Sequence, residues 1–202
     1  LEVQFNLRGQ VLTAIRGISL DIYKGESLAI VGESGSGKSV FTKTFMGMLD
    51  KNGKVTKGEI LYNGMDLAKF GSEKDWLKIR GKEVAMVFQD PMTSLNPLKT
   101  VGKQIQEALE LHQNLHGRAA CERTIEILSD VGITEPERRY KQYPHEFSGG
   151  MRQRAVIATA IACNPNILIC DEPTTALDVT IQAQIIELLE QLQKKYRLTI
   201  IY

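Results

Sequence analysis

The part of the sequence that most limits its fold is a glycine-rich loop between an apolar run and a helical pattern. The apolar run is Ser27–Val31, the segment GESGSGKS occupies Gly32–Ser39, and helical spacing continues from about Lys38 to Leu49. This order fits G-x-x-x-x-G-K-[ST], which requires a strand before the loop and a helix after it. The sequence therefore predicts a fully buried strand over Ser27–Val31, a phosphate-binding loop, and a helix over about Lys38–Leu49.

The residue types of this loop explain why it would bind phosphate. Glycines let the backbone wrap closely enough for successive N–H groups to point at phosphates, and the following helix adds the positive end of its dipole. Lys38 is expected to reach the β- and γ-phosphates of a nucleotide, and the Ser39 hydroxyl to bind Mg²⁺. The predicted nucleotide-binding residues are Gly32, Glu33, Ser34, Gly35, Ser36, Gly37, Lys38, Ser39 and Val40. The alternative interpretation is a Gly/Ser-rich turn without function.

Two carboxylates follow a second apolar run. Asp171 and Glu172 come directly after Ile167–Cys170, which predicts a buried strand that ends at the carboxylates. Asp171 would hold Mg²⁺, commonly through water, and Glu172 would polarise a water lined up behind the γ-phosphate. A solvated turn is the alternative, and the phosphate loop together with Pro173 argues against it.

The remaining pattern indicates an α/β protein with a parallel sheet. Further buried strands are predicted at Glu83–Phe88 and Leu198–Tyr202, and these β-rich runs alternate with helical patterns. Val101–Tyr140 has helical spacing and no convincing strand, which predicts an all-helical insert. Leu1–Ile22 and Gly58–Asn63 are expected to form antiparallel strands beside the core.

Composition limits the possible partners. Lys plus Arg at 25 against Asp plus Glu at 24 gives a net charge of +1, so the chain has no overall field that would attract nucleic acid. The apolar stretches Val84–Phe88 and Ala155–Cys163 are far shorter than the roughly 20 residues of a membrane-spanning helix. We therefore expect a cytosolic protein that does not itself cross a bilayer. Its odd number of cysteines supports neither a disulfide framework nor a zinc site.

A second glycine-rich helix start follows the predicted helical insert. The segment FSGGMRQR at Phe147–Arg154 offers the hydroxyl of Ser148 and two glycines, Gly149 and Gly150, at the beginning of a helix. Such a helix end can bind an anion. Two anion-binding helix ends and one nucleotide are compatible if the second end faces the nucleotide of a partner molecule.

These motifs together resemble those of the ATP-binding subunits of ABC transporters. FSGGM is similar to the family's LSGGQ signature, with Phe147 for Leu and Met151 for Gln, and it retains Ser148–Gly150. Gln89 in VFQDP matches the family's Q-loop, and Ala176–Asp178 matches its D-loop. The resemblance covers essentially the whole chain. The strings VGESGSGKS, VFQDPMTSLNP, FSGGMRQR and DEPTTALDVTIQAQI look most like the oligopeptide and dipeptide importer branch.

The resemblance implies a fold and a domain organisation. The expected fold is α/β, a P-loop NTPase of RecA-like type, with a parallel sheet core, an antiparallel β subdomain and an all-helical insert. Residues 1–98 and 146–202 would form the nucleotide-binding core with the β subdomain, and about 99–145 the helical subdomain. In the family a switch His follows the strand that here ends at Tyr202, so the resemblance also implies an ABC ATPase domain that is incomplete at its C-terminus.

The resemblance also implies roles for individual residues. The catalytic residues would be Glu172, Lys38 and Gln89, and the Mg²⁺ ligands Ser39, Gln89 and Asp171. The residues expected to act on the partner's nucleotide are Ser148, Gly149, Gly150 and Met151, and Asp178 would act in the D-loop. In the family an aromatic near the N-terminal strands stacks on adenine, and the matching position here is Arg8, with Phe5 nearby.

The implied function is ATP hydrolysis, coupled to uptake of oligopeptides or dipeptides through membrane permease subunits. ATP and Mg²⁺ would be bound at the interface with a second ABC ATPase subunit, for which we expect a related but distinct chain, with a head-to-tail homodimer as the alternative. Two permease subunits and, indirectly, an extracytoplasmic peptide-binding protein complete the expected partners. The subunit would lie peripherally at the cytoplasmic face of the cell membrane, and no nucleic acid is expected.

Two alternatives to peptide import are compatible with these motifs. A nickel or other solute importer of the same branch looks alike at this level, because cargo is selected by other subunits. A non-transport ABC protein acting on nucleic acid or the ribosome is disfavoured by the near-zero net charge. The histidines His112, His116 and His145 do not match the switch His. Of these, His112 and His116 have the i,i+4 spacing of a solvated helix face.

Overall fold

The computed structural model describes residues 1–175 and 177–202, with the side chain of Met92 excepted. The described chain divides into two compact units. The first comprises Leu1–Tyr23 and Leu28–Arg80, and the second Lys24–Ser27 and Gly81–Tyr202.

The first unit is built on a three-stranded antiparallel sheet. Strand β1 (Glu2–Leu7) lies between β2 (Gln10–Arg16) and β4 (Gly53–Lys57) and pairs antiparallel with both. A separate hairpin joins β5 (Leu61–Tyr62) to β6 (Met65–Asp66). The antiparallel strands predicted in Leu1–Ile22 are confirmed. Gly58–Asn63 contributes only β5, and the third strand of the sheet is instead β4, whose polar residues gave no strong strand signal.

Helix α1 (Lys38–Phe45) packs its apolar face on this unit's core. Phe41 is buried with Val3 and Ile15. Its ring packs edge to face on that of Phe45, with the ring centroids 4.8 Å apart. The helix is shorter than the predicted Lys38–Leu49. It ends because the backbone turns at Gly47, whose φ of 58° is left-handed.

A guanidinium holds the C-terminal end of α1. Arg80 donates from Nε to the Met46 carbonyl at 2.6 Å and from Nη2 to the Gly47 carbonyl at 3.0 Å. Helix α2 (Glu73–Trp76) supports this guanidinium through the Glu73 carboxylate at 2.5 Å and the face of Trp76. A positive charge at this end of α1 stabilises the helix dipole.

The second unit contains the parallel sheet. Its order is β3 (Ser27–Leu28), β9 (Thr199–Ile201), β8 (Ile167–Cys170) and β7 (Val84–Val87). The pairs β7–β8 and β8–β9 are parallel. The strands predicted near β7, β8 and β9 are confirmed. Their short apolar runs are buried, as expected for the central strands of a parallel sheet.

The buried strand predicted at Ser27–Val31 is wrong in length and burial. Only Ser27–Leu28 pairs in the sheet, and Val31 is 91% exposed. Its residue types suggested a buried strand. However, strand pairing ends after Leu28, and the chain from Leu28 onwards packs within the first unit.

In the part of the chain that the structure describes, the remaining regular structure of the second unit is helical. No strand interrupts the described segment Val101–Tyr140, which confirms the helical insert as a run of helices. The buried core runs without a break from the sheet to the helices, through Leu168, Ile105, Ile127 and Ile157. Among the described residues, no helix is both long enough and apolar enough to cross a membrane. The helices are α3 (Pro91–Ser94), α4 (Val101–Gln113), α5 (Gly117–Asp130), α6 (Pro136–Arg139), α7 (Gly149–Ile161) and α8 (Val179–Tyr196).

The two histidines expected on one helix face lie on different elements. Helix α4 ends because Asn114 takes a left-handed φ of 52°. His112 is therefore in the last turn of α4, and His116 is the N-cap of α5. His112 packs against Gly81, and burial together with the charge of Lys82 lowers its pKa.

A polar cluster joins the C-terminal ends of α5 and α8. The Tyr196 hydroxyl donates to Asp130 Oδ2, and Lys195 Nζ donates to Asp130 Oδ1 at 2.5 Å. The guanidinium carbon of Arg123 lies 5.9 Å from the centroid of the Tyr196 ring. Burial, followed by the hydrogen bond to Asp130, raises the pKa of Tyr196 to about 12. Because the Asp130 side chain is only 11% exposed, its bonds are poorly replaced by water.

Asp130→Ala is expected to lower the free energy of unfolding by about 1–3 kcal/mol, because it leaves two donors without their acceptor. Urea denaturation followed by circular dichroism measures this loss. The control is Glu122→Ala, which removes a pair whose side chains are 91% and 62% exposed and should cost less than about 1 kcal/mol. Equal losses in the two variants would contradict a stabilising role for the Asp130 cluster.

Candidate nucleotide site

The glycine-rich loop enters α1 through a left-handed residue. Gly37 precedes the helix with φ 94°, a conformation that favours glycine. A Cβ at this position would lie 3.0 Å from the Ala14 carbonyl oxygen, so the loop also passes close to β2. The first turn of α1 carries no acidic residue. The first N–H groups of a helix generally have no carbonyl partner one turn earlier in the same helix. This helix start has the geometry of an anion site.

Lys38 folds back over the beginning of the same loop. Its Nζ donates to the Gly32 carbonyl at 2.7 Å and to the Glu33 carbonyl at 2.9 Å. Ser36 N–H also donates to the Glu33 carbonyl, at 3.2 Å, which closes a tight turn. The ammonium group and the loop backbone are therefore brought together, as the predicted roles of Lys38 and the glycines require.

A cavity of about 770 Å³ adjoins the loop within the first unit. Part of its wall is apolar, with Phe5, Leu7 and Leu12 from β1 and β2, and part is the loop backbone at Gly35–Gly37. A ligand with a flat apolar group and a phosphate chain matches such a lining. Arg8 lies in the turn between β1 and β2 with φ 46° and is not among the residues that line the cavity, whereas Phe5 is.

The second group of predicted residues meets at the carboxyl ends of two parallel strands. Val87, the last residue of β7, lies opposite Cys170, the last residue of β8. Asp171 N–H donates to the Val87 carbonyl at 3.0 Å. Gln89 Nε2 donates to Glu172 Oε2 at 2.8 Å. The pairing of β7 with β8 thus brings together Gln89, Asp171 and Glu172.

A residue that the sequence analysis did not single out also contacts Glu172. Thr175 Oγ1 donates to Glu172 Oε2 at 3.1 Å. The signal was present as a Glu-Pro-Thr-Thr turn, in which the hydroxyl of the fourth residue can reach back to the first. Glu172 itself has a left-handed φ of 49°, which is uncommon for a residue with a side chain and is often found at functional sites.

The FSGG segment contacts the segment that matches the D-loop. Ser148 is the N-cap of α7, and its Oγ accepts from Met151 N–H at 3.3 Å. A Cβ on Gly149 would lie 3.7 Å from Leu177, and one on Gly150 3.0 Å from Ile181. Asp178 caps α8 by accepting from Ile181 N–H at 3.0 Å. Ala176, the remaining residue of the predicted D-loop, lies outside the described residues.

Comparison with known proteins identifies the family. The sequence pattern of the family described as "ABC transporter" matches residues 15–175. The chain therefore belongs to the ABC transporter family. This confirms the resemblance inferred from FSGGM, VFQDP and the phosphate loop.

Curated relatives are peptide transport proteins by name. The chain is 58% identical over 200 residues to the oligopeptide transport ATP-binding protein AmiE of Streptococcus pneumoniae, covering 99% of this chain and 56% of the relative. It is 54% identical to the dipeptide transport ATP-binding protein DppD of Bacillus subtilis over 202 residues, covering 100% and 60%. The Escherichia coli DppD is 51% identical over 201 residues, with 100% and 61% covered. The chain thus spans little more than half the length of these relatives.

Solved structures of ATP-binding cassettes share the fold. The cassette MJ0796 in a dimeric post-hydrolysis state bound to ADP and Pi superposes with a TM-score of 0.85 at 29% identity, covering 99% of this chain and 83% of that one. A second dimeric structure of MJ0796, titled a bacterial ABC transporter cassette, gives 0.84 at the same identity and coverage. The α/β fold class predicted from the sequence is confirmed.

Proposed function

We propose that this chain is the ATP-binding and ATP-hydrolysing part of an ABC importer that takes up oligopeptides or dipeptides. The proposal depends most on the start of α1. Gly37 directs the chain into the helix there, and Lys38 Nζ lies over the same glycine-rich loop, against the Gly32 carbonyl. A phosphate chain is the ligand that this arrangement suits, because it is compact and strongly anionic.

Hydrolysis is assigned to the residues at the carboxyl ends of β7 and β8. Glu172 accepts a proton from the water whose oxygen attacks the γ-phosphorus, and the bond from that phosphorus to the β-phosphate oxygen breaks to release ADP. Lys38 stabilises the negative charge on the β- and γ-phosphates. Gln89, whose side chain contacts Glu172, orients the attacking water.

The donor atoms proposed for Mg²⁺ fit that ion. The Ser39 hydroxyl, the Gln89 amide oxygen and the Asp171 carboxylate are all oxygen ligands, which Mg²⁺ prefers. Gln89 and Asp171 follow the ends of adjacent parallel strands. When bound, Mg²⁺ would neutralise charge on the phosphates. The apolar wall at Phe5 supports base binding there, and Arg8 remains the sequence-based candidate for the adenine contact.

The names of the relatives support the choice of cargo. AmiE is named an oligopeptide transport protein and DppD a dipeptide transport protein, which favours peptides over nickel. We assign two permease subunits and an extracytoplasmic peptide-binding protein as further partners, with this chain at the cytoplasmic face of the membrane. The predicted subdomain boundaries, 1–98 with 146–202 and about 99–145, belong to the same proposal.

The dimeric cassette structures support a paired arrangement. In our proposal the partner is a related ABC ATPase subunit, and Ser148, Gly149, Gly150 and Met151 face the nucleotide bound by that partner. Asp178 lies between Leu177 and Ile181 in the sequence, and these two residues lie against Gly149 and Gly150. We therefore assign Asp178 to the same surface.

Lys38→Ala is expected to abolish productive ATP binding, because it removes the charge that compensates the β- and γ-phosphates. Isothermal titration with Mg-ATP measures the change. Lys43→Ala is the matched control, since it removes a lysine from the last turn of the same helix. Undiminished affinity in the Lys38 variant would refute the assigned role.

Glu172→Gln is expected to retain ATP binding and to slow hydrolysis by roughly 10²–10⁴, the contribution of a positioned base. Phosphate release under ATP saturation measures kcat, and titration measures affinity. Glu187→Gln, an exposed substitution in α8, controls for the change of charge. Unimpaired turnover in the Glu172 variant would exclude Glu172 as the base.

Ser148→Arg is expected to leave ATP binding by the mutated chain intact and to impair turnover in the assembled dimer, because the defect acts on the partner's nucleotide. Mixing mutant and wild-type chains at varied ratios measures this effect. Ser129→Arg, at an exposed position of α5, provides the control for added bulk and charge. Loss of ATP binding in the mutated chain alone would contradict the trans arrangement.

A further inference from the structure

The carboxylate of Glu172 receives two hydrogen bonds on one oxygen. Gln89 Nε2 donates to Oε2 at 2.8 Å, and Thr175 Oγ1 donates to the same Oε2 at 3.1 Å. The two donors differ in origin, since Gln89 follows β7 and Thr175 belongs to the same turn as Glu172. The carboxylate is therefore oriented through Oε2.

The backbone explains why Thr175 reaches Glu172. Thr175 N–H donates to the Glu172 carbonyl at 3.3 Å, which closes a turn over the buried Pro173. Proline suits the second position of such a turn because its φ is fixed. The left-handed φ of Glu172, 49°, sets the direction in which the turn begins.

Helix α8 holds this turn in place. Gln182 Nε2 donates to the Thr174 carbonyl at 3.1 Å and to the Leu177 carbonyl at 2.9 Å. Leu177 N–H also donates to the Thr174 carbonyl, at 3.0 Å. The backbone that carries the Thr175 hydroxyl is thus held by hydrogen bonds. Threonine is also β-branched, so its side chain has few χ1 rotamers and loses little freedom when it is fixed.

We infer that Thr175 is a positioning residue for Glu172, fixing the carboxylate so that its other oxygen, Oε1, faces the attacking water. The inference rests on the proposed function of Glu172 as the base. A glutamate side chain has three rotatable bonds, and fixing them before the reaction removes an entropic cost from the transition state. Thr175 is suited to this because its bond spans only three residues.

Thr175→Val tests the inference, because valine keeps the shape and removes the hydroxyl. We expect kcat to fall about 10-fold, the effect of losing one hydrogen bond to a charged group, with KM for ATP unchanged. Thr175→Ser restores the hydroxyl and should recover most of the turnover. Thr56→Val is the matched control, because it removes the same kind of bond, Thr56 Oγ1 to Glu2 Oε1 at 2.8 Å, and should leave kcat unchanged.

A double-mutant cycle separates positioning from a general loss of structure. In a Glu172→Gln background, adding Thr175→Val should lower the residual rate no further, because Thr175 acts through the carboxylate. Thermal unfolding of each variant reports its stability, and Thr175→Ala provides a second variant without the hydroxyl if the valine variant does not fold.

Several results would overturn the inference while leaving the proposed function intact. These are equal kcat in wild type and in the variants without the hydroxyl, equal losses in the valine and serine variants, a raised KM at unchanged kcat, or an undiminished effect in the Glu172→Gln background. A wild-type dimer, assembled with its partner subunit, that binds Mg-ATP without hydrolysing it would instead refute the proposed function, and the inference about Thr175 would fall with it.

Discussion

The N–H groups at the start of α1 are the feature on which the proposed site depends. A helix leaves its first N–H groups without intrahelical partners, and here they emerge directly from a glycine loop. At the other end of the helix, Arg80 binds the carbonyls of Met46 and Gly47. Phe41 anchors the middle of the helix in the core. The loop is therefore positioned by packing and charge outside the motif.

The parallel alignment of β7 with β8 makes a comparable contribution in the second unit. Opposing Val87 and Cys170 places the residues that follow both strands at one sheet edge. Asp171, Glu172 and Gln89 can meet there although more than eighty positions separate Gln89 from the carboxylate it binds. Strand β8, which contains the buried residues Leu168 and Ile169, and the strands beside it form the rigid support that a site built on loops needs.

Buried strands and glycine motifs were predictable because their signals are local. Strands β7, β8 and β9 are short apolar runs, and the phosphate loop follows a fixed pattern of residue types. The β4 strand was not predicted because its sequence, GKVTK, is mostly polar and has no alternation of apolar and polar residues long enough to indicate a strand. Ser27–Val31 was overextended because an apolar sequence pattern does not show where strand pairing ends, here after Leu28.

The side-chain contacts were less predictable than the motifs. Glu172 and Gln89 were singled out, but the hydroxyl of Thr175 was not, because its role depends on a turn whose first residue has a left-handed backbone. Arg80 was missed for a related reason, since its partners lie more than thirty positions away in the sequence. His112 and His116 appeared to share a helix only because the stop at Asn114 was not recognised.

Amide hydrogen exchange of the phosphate loop, with and without saturating Mg-ATP, shows whether the N–H groups at the start of α1 bind phosphate. Exchange is expected to slow at Gly35–Ser39 when ATP binds, because these N–H groups become donors to phosphate, while the β5–β6 turn at Asn63–Gly64 is unaffected. Unchanged exchange at Gly35–Ser39 in a protein saturated with ATP would contradict phosphate binding at the start of α1.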